Sequence, residues 1–559
     1  MSLRVLSVAL AFGIGLVGIG VGAPLASAVD PAAPVQVAIA VPITVPESAG
    51  GLISADALTQ YTSPLGTLTR QLDSSEGRPV VLGIDPRIIV SIRILGTAAP
   101  ASASAWLARL EAAPNESFPL TYADSDITLA SQAGSTIVLQ PTGFEFAIDP
   151  TLFTAPLGTI TPTPTDTPTP TSAATPTAPV VPPLPSSQDL ESWPYSLSGI
   201  AWPLESTITA TDLPIISGSE FSTMILSSAN LDRTPGSGAV ADVAGTRSLV
   251  ADAKASASFR SAVQSFTVAD WQANTTAMLA SISAAGQNQS GSTATVVITL
   301  DRSALGSGTR LADTITAVQG SPLIRIVKFA ELLGGDASPA TVIDQPHSPD
   351  ELALMRQLLD AQAAEAQFAA IAEDPLAITS ARRLDLLALQ SIGWRGNAPG
   401  WPVVVASDLA ASTKLRSAVQ VASTGDINFL AAAAPLPIAV VNNLNQPVTV
   451  YVTVRPDTGL LTVEEARVEL KIEPNSQASA MIPAQAVSNG VVGVTVSLSS
   501  VSGVPIGEAS RARINVQAGW ETPIVIVIAS LVVAVFGGGI VRNILRLRKA
   551  AAAAKGAGV

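Results

Sequence analysis

The chain has 559 residues, 47% of them hydrophobic and 13% charged, which leaves room for roughly two to four domains and argues against wholesale disorder. Its formal charge of −13 sets it against phosphate backbones, so no nucleic-acid partner is expected. With no cysteine it has no disulfide, thiolate metal site or cysteine nucleophile, and with His347 as the single histidine it has no HExxH or other paired-histidine metal centre.

Residues 1–28 read as a signal peptide. Arg4 supplies the basic start, an apolar run spans Val5 to Val21, and Ala26-Ser27-Ala28 offers small residues for cleavage. Gly13, Gly15 and Gly18 match a GxGxxG pattern, but they lie inside this leader. No comparable glycine motif follows a strand of the mature chain, so neither nucleotide nor other cofactor is expected.

Residues 29–347 alternate β-branched runs with amphipathic helical stretches. The predicted strands are Val37–Val45, Pro79–Asp85, Phe118–Ala123, Ser198–Trp202, Thr223–Ser227, Arg247–Ala251, Thr293–Leu300 and Leu323–Lys328. Alternation of this kind predicts a mainly parallel sheet covered by helices. Eight such strands fit a TIM-like α/β barrel, regular or irregular, with an open doubly wound sheet as the alternative. A Pro/Thr tract at 159–187 interrupts the pattern and reads as an extended, solvated insertion.

Residues 348–434 read as helical. Ser348-Pro349-Asp350-Glu351 is a capping box with proline at the first helical position. That helix is expected to reach about Ile371, and a second to cover Ala381–Ile392. His347, just before the cap, reads as an exposed loop residue. From 435 to 518 the period changes to two. Val448, Val450, Val452 and Val454 alternate with Thr449, Tyr451 and Thr453, and similar runs carry Val468 to Ile472, Val492 to Leu498 and Ala512 to Val516. This predicts an antiparallel, Ig-like β-sandwich close to the membrane.

Residues 523–541 read as a transmembrane helix, uncharged from Ile524 to Val541, with Trp520 at its outer edge. Arg542, Arg546, Arg548, Lys549 and Lys555 follow, and no acid occurs after Glu521. The basic tail 542–559 is therefore expected in the cytoplasm, with the bulk of the chain outside a plasma membrane that it crosses once.

Chemistry in a barrel sits at the carboxyl ends of its strands. Asp85, Asp124 and Asp126 follow two of the predicted strands and are the candidate catalytic carboxylates; Trp202, Asn230, Asp252 and Asp301 are candidate ligand-binding residues. Paired carboxylates about 5–9.5 Å apart suffice for glycoside cleavage and need neither histidine nor cysteine. Asp and Asn in such places also cap helices and close Asx turns, and that reading competes at every one of them. No metal is expected, and polysaccharide deacetylation is disfavoured because its usual metal site needs paired histidines.

Several strings resemble the actinobacterial DUF6049 family. They are Val41-Pro42-Ile43-Thr44-Val45-Pro46-Glu47-Ser48, the run Gly83 to Arg93, Leu120 to Asp126, Ile482 to Gly490 and Val516 to Thr522. The resemblance implies a secreted, single-pass envelope protein. Members are often encoded near the flippase for the peptidoglycan precursor, which implies work on the cell wall, with wall glycan or wall-assembly proteins as partners. It supplies no catalytic residues. Longer members are expected to carry a β-rich region where this chain has only the short segment between Ala28 and Val41. Two functions stay open: a binding or scaffolding factor in wall assembly, and a glycan-active, hydrolase-like enzyme.

Overall fold

The computed structural model describes residues 34–153, 184–290, 294–302, 310–422, 425–464, 467–517 and 521–555. The expected leader, residues 159–183 of the Pro/Thr tract, and Trp520 lie outside these residues.

The first sheet is built from Val35–Ile43 (β1), Val81–Ile84 (β2), Ser117–Pro119 (β3), Ile200–Ala201 (β4), Thr223–Ser227 (β5), Leu231–Arg233 (β6), Val240–Val243 (β7), Thr246–Ala251 (β8), Thr295–Thr299 (β9), Ile324–Ile326 (β10) and Ser338–Val342 (β11). All eight strands expected from the sequence are present. Seven of them run parallel in the order β3-β2-β1-β9-β8-β5-β4. The sheet curls until its two edges approach: Leu197 N donates to Ser117 O at 2.9 Å, and Ser117 N donates to Ser196 Oγ at 2.7 Å.

This curled sheet departs from a regular eight-stranded ring in three ways. β3 and β4 do not pair as strands. β10 pairs only with the first three residues of β1, on the edge that β2 takes further along. The chain also adds an unpredicted extension, in which β7 pairs antiparallel with β8, β11 parallel with β7, and β6 antiparallel with β11.

β1 shows why the sheet is covered on both faces. Val37, Ile39, Val41 and Ile43 point to the helices and share a core with Leu58, Leu72 and Ile88. Ala38 and Ala40 point to the concave side, beside Phe118 and Val297. A strand buried on both faces reads as a continuous apolar run, and each buried aliphatic side chain contributes about 1.5–3 kcal/mol.

Helices Pro349–Ala369, Pro375–Leu389 and Trp401–Arg416 follow. The first begins at the expected Ser348–Glu351 capping box. Strands Val419–Val421 and Ile427–Phe429 occupy the end of the stretch read as helical and join two facing sheets, of four and five strands. Their pairs are antiparallel except that Ile427–Phe429 runs parallel to Pro505–Val516. Val448, Val450, Val452 and Val454 fill the space between the sheets, as their alternation requires. Phe368 and Ile371 reach into the same core from the helical segment.

The last helix, Glu521–Lys555, is 35 residues long, about 50 Å. Within it, the span Val525–Lys549 contains an 18-residue stretch with a mean hydropathy of 2.4, none of it buried against the rest of the protein. It is long and apolar enough to cross a membrane once.

Candidate functional site

Asp85 follows β2 and caps helix Pro86–Ile94, its Oδ1 accepting from Arg87 N at 2.9 Å. The same oxygen accepts from Ala123 N at 2.8 Å. Ala123 and Asp124 both take left-handed backbone, with φ of 58° and 49°. Such residues cost on the order of 1 kcal/mol or more and persist where the surroundings hold them. Here the Asp85 carboxyl is the clamp, so a helix cap and a strained turn share one oxygen.

Asp124 is thereby placed over a cavity of about 140 Å³ beside Asp85. Its walls come from the end of β1 (Thr44 to Glu47), from Gln71 and Arg87, from Arg302 after β9, and from Ser391, Gly393 and Gly396 of the helical segment. Arg302 Nε donates to Asp124 Oδ1 at 3.3 Å, and its Nη2 donates to Trp202 O at 2.7 Å. The Arg302 guanidinium lies 3.9 Å from the centre of the Trp202 ring.

Burial pushes the Asp124 carboxyl up to about 7, opposed by Arg302 and reinforced by the neighbouring Asp85. Asp85 is pushed up to about 6, again first by burial and against Arg87 and the backbone N–H groups. Two carboxyls near neutrality in one cavity could exchange protons with a bound molecule.

Asp126 goes elsewhere. It caps helix Ile127–Gln132 and lies 3.4 Å from His347 Nε2. Burial alone would raise its carboxyl, but the bonds from His347 and Thr128 outweigh it and hold the group below its usual range. His347 is not the exposed loop residue expected from the sequence, since its side chain is 0% exposed. Arg395 Nη2 faces its Nδ1 at 2.8 Å. A guanidinium only donates, so Nδ1 accepts and Nε2 carries the proton toward Asp126 and Thr128. This chain of contacts ties helix Pro349–Ala369 to the α/β region.

The remaining predicted residues lie outside the cavity beside Asp85 and Asp124, and Trp202 and Asn230 share the lining of a separate space of about 10 Å³. Asp252 caps helix Ala253–Val263. Asn230 is buried and donates to the carbonyls of Ile208 and Ile343 at 3.3 and 3.1 Å. Trp202 is largely covered by Arg302 and Phe118. Asp301 sits half-buried just before Arg302. Of the seven, the structure brings Asp85 and Asp124 to one cavity. Sequence reasoning passed over Arg87, although it stands two residues after Asp85, and Arg302, although it stands three residues after the end of β9. Ser391 and Gly396 carried no signal at all, because they arrive from a distant helical segment.

Among the described residues no cluster of acids or histidine is arranged to hold a metal ion. The fold and site define an α/β protein with a small cavity under its strand ends and one C-terminal helix long and apolar enough to cross a membrane. The family model for the family of unknown function DUF6049 matches residues 23–552, and the chain belongs to that family. No curated protein matches it.

Among solved structures, the α-amylase AmyC from Thermotoga maritima aligns with 69% of this chain and 93% of its own, at 10% identity and a TM-score of 0.42. Native α-2-macroglobulin from Escherichia coli aligns at 16% identity and a TM-score of 0.15 over 18% of this chain, which covers only 16% of that structure. The E. coli chaperone DraB aligns over 18% of this chain and 54% of its own, at 10% identity and a TM-score of 0.14. Likeness at these levels carries no functional argument.

Proposed function

We propose that this protein is a membrane-tethered, extracytoplasmic binding or scaffolding factor of the cell envelope, engaged in wall assembly. In this reading a TIM-like, irregular barrel is the binding domain and an Ig-like sandwich is the stalk. The last helix is the anchor, with its basic tail in the cytoplasm. Wall glycan or wall-assembly proteins are the partners.

The observation that carries this reading is how the acids are used. Asp85, Asp126 and Asp252 each accept backbone N–H groups as helix caps. A carboxylate already bonded to fixed donors holds its helix in place rather than awaiting a substrate. The cavity at the strand ends, about 140 Å³, is also well below the roughly 300–1,000 Å³ of ordinary ligand clefts. A chain of sugar rings would not lie across it.

A second reading, a glycan-active enzyme using Asp85 with Asp124, is favoured by one observation: the raised acidities of those two carboxyls in a shared space. Asp126, the other candidate partner, is locked to His347. Co-sedimentation with purified wall glycan, together with assay of released sugar, separates the readings. Binding without sugar release, in wild type and in Asp85→Asn with Asp124→Asn, is the expected result. Sugar release abolished by that double substitution would replace the first reading with the second.

A further inference from the structure

The two ends of the β-sandwich face different surroundings. At one end Ala372 of the helical segment pairs with Val448, and Glu373 N donates to Pro447 O at 3.0 Å. Strand register shows what gathers at the other. Phe429 ends its strand opposite Val516, the last residue of Pro505–Val516. Gly490, which begins Gly490–Ser499, pairs with the same Val516. Ala486 N donates to Ala432 O at 2.9 Å, and Val487 N to Leu460 O at 2.8 Å. Loops 430–432, 457–460 and 487–489 therefore share one tip, beside the point where the chain leaves for the last helix.

Three large apolar side chains are exposed at that tip: Leu430 by 66%, Val487 by 54% and Val491 by 63%. Leu430 and Val487 stand in loops, and Val491 is one residue inside the end of its strand, on the outer face because Val492 points inward. The core is closed without them, by Phe429, Leu461, Val492 and Val516. Their surroundings are poor in charge. Residues 430–435 read Leu-Ala-Ala-Ala-Ala-Pro, and Asp457 is the one charged residue of the three loops. Apolar side chains grouped on a surface in this way mark a contact.

Chain length says what the contact is. Glu521 begins the last helix four residues after Gln517, a distance of at most about 14 Å when fully extended. Three helical steps of about 1.5 Å then reach Ile524, where the uncharged run starts. If that run lies in hydrocarbon, the tip stays within about 20 Å of it, and the headgroup layer takes up roughly 5–8 Å of the gap. A second protein would have to enter this narrow space, whereas a bilayer already bounds it.

We propose that this tip of the β-sandwich docks on the lipid bilayer, with Leu430, Val487 and Val491 entering the interfacial layer. The sandwich is then held against the membrane at a second point. The proposal rests on the anchoring role given above to the last helix.

The chain has no cysteine, so one introduced thiol carries one label. The test places full-length protein in phosphatidylcholine bilayer discs, which leave both membrane faces open to solvent. A bimane label at Leu430→Cys, Val487→Cys or Val491→Cys is read against iodide in water and against doxyl groups carried by the lipid. Val501→Cys is the reference. Val501 is 67% exposed, in the turn between Ser499 and Pro505 at the opposite end. The ten residues of Gly490–Ser499 set it roughly 30 Å from the tip.

The tip labels are expected to lose at least half their emission to the lipid quencher and to be at least threefold less sensitive to iodide than the Val501 label. Val487→Asp combined with Leu430→Cys is expected to restore iodide sensitivity. The unfolding temperature should stay unchanged, because the Val487 side chain lies outside the core. Tip labels as open to iodide as the Val501 label, or no response to Val487→Asp, overturn the docking. A label at Val535→Cys keeps the two levels apart. If lipid quenches it but not the tip labels, the anchor stands and the docking fails. If it is open to iodide, or the protein elutes apart from the discs, both fail.

Discussion

Two groups of buried charge lie in this protein, and they are built differently. In the helical segment Arg382 meets Glu365 at 2.9 Å, Asp408 at 2.8 Å and Asp385 at 3.3 Å. One guanidinium thus joins three helices, and Asp385 extends the link by accepting Gly51 N at 2.8 Å. In the α/β region Arg302 meets Asp124 at 3.3 Å, yet Asp124 Oδ2 and Arg87 Nε stay unmatched beside a cavity. The first group is satisfied within the fold. The second is held by a strained turn and leaves two buried polar atoms without a hydrogen-bond partner in the fold. Paired groups of this kind serve architecture, whereas a strained turn with unmatched buried groups costs stability that the rest of the fold must supply.

Substitutions should expose the contrast. The largest expected effect is at Arg382. Arg382→Met leaves Glu365 and Asp408 buried without a cation and should destabilise by about 3–5 kcal/mol, read by chemical unfolding.

The pH response comes next. Asp85 and Asp124 have carboxyls near 6 and 7 in the folded chain, against 3.8 when unfolded. The native state therefore binds more protons between those values, so stability should fall as pH rises through about 4 to 7, by a few kcal/mol in all. Thermal unfolding between about pH 5 and pH 8 reads this, and Asp124→Asn should flatten the slope. Asp126 has the opposite sign: its depressed carboxyl supports the fold above the ordinary carboxylate range, and that support disappears as pH falls below about 4.

Asp126→Ala removes a cap and the partner of buried His347, and should cost about 2–3 kcal/mol. The smallest effect is expected at Asp252, where loss of the cap bond to Ala255 N should cost about 1 kcal/mol.

How far the sequence foretold this contrast depends on the range of each interaction. Asp85-Pro86 and the Ser348–Glu351 box were legible because a cap and its helix are neighbours in the chain. β1 was legible because burial on both faces leaves a continuous apolar run. The β6–β7–β11 extension was not: β11 meets β6 across about a hundred residues, and each strand is too short to show a period. The turn at Ala244-Gly245, with φ of 52° and 85°, is the local mark of the β7–β8 hairpin that was passed over. His347 was misread because Pro346 and Ser348 suggest a surface turn, while its burial depends on Asp126 and Arg395, both distant in sequence. The cavity was half legible. Its acids end predicted strands, but its far wall comes from residues near 391–396, which no local pattern assigns to that place.

The account is tested most directly by the unfolding free energy of Asp124→Asn at pH 7.5 relative to wild type. If Asp124 contributes little to holding the fold, the variant should unfold within about 1 kcal/mol of wild type or be slightly more stable, since burial already opposes the charged carboxylate. A loss comparable to that of Arg382→Met would show that Asp124 and Arg302 hold the fold together as the Arg382 group does, and the distinction between the two regions would be wrong.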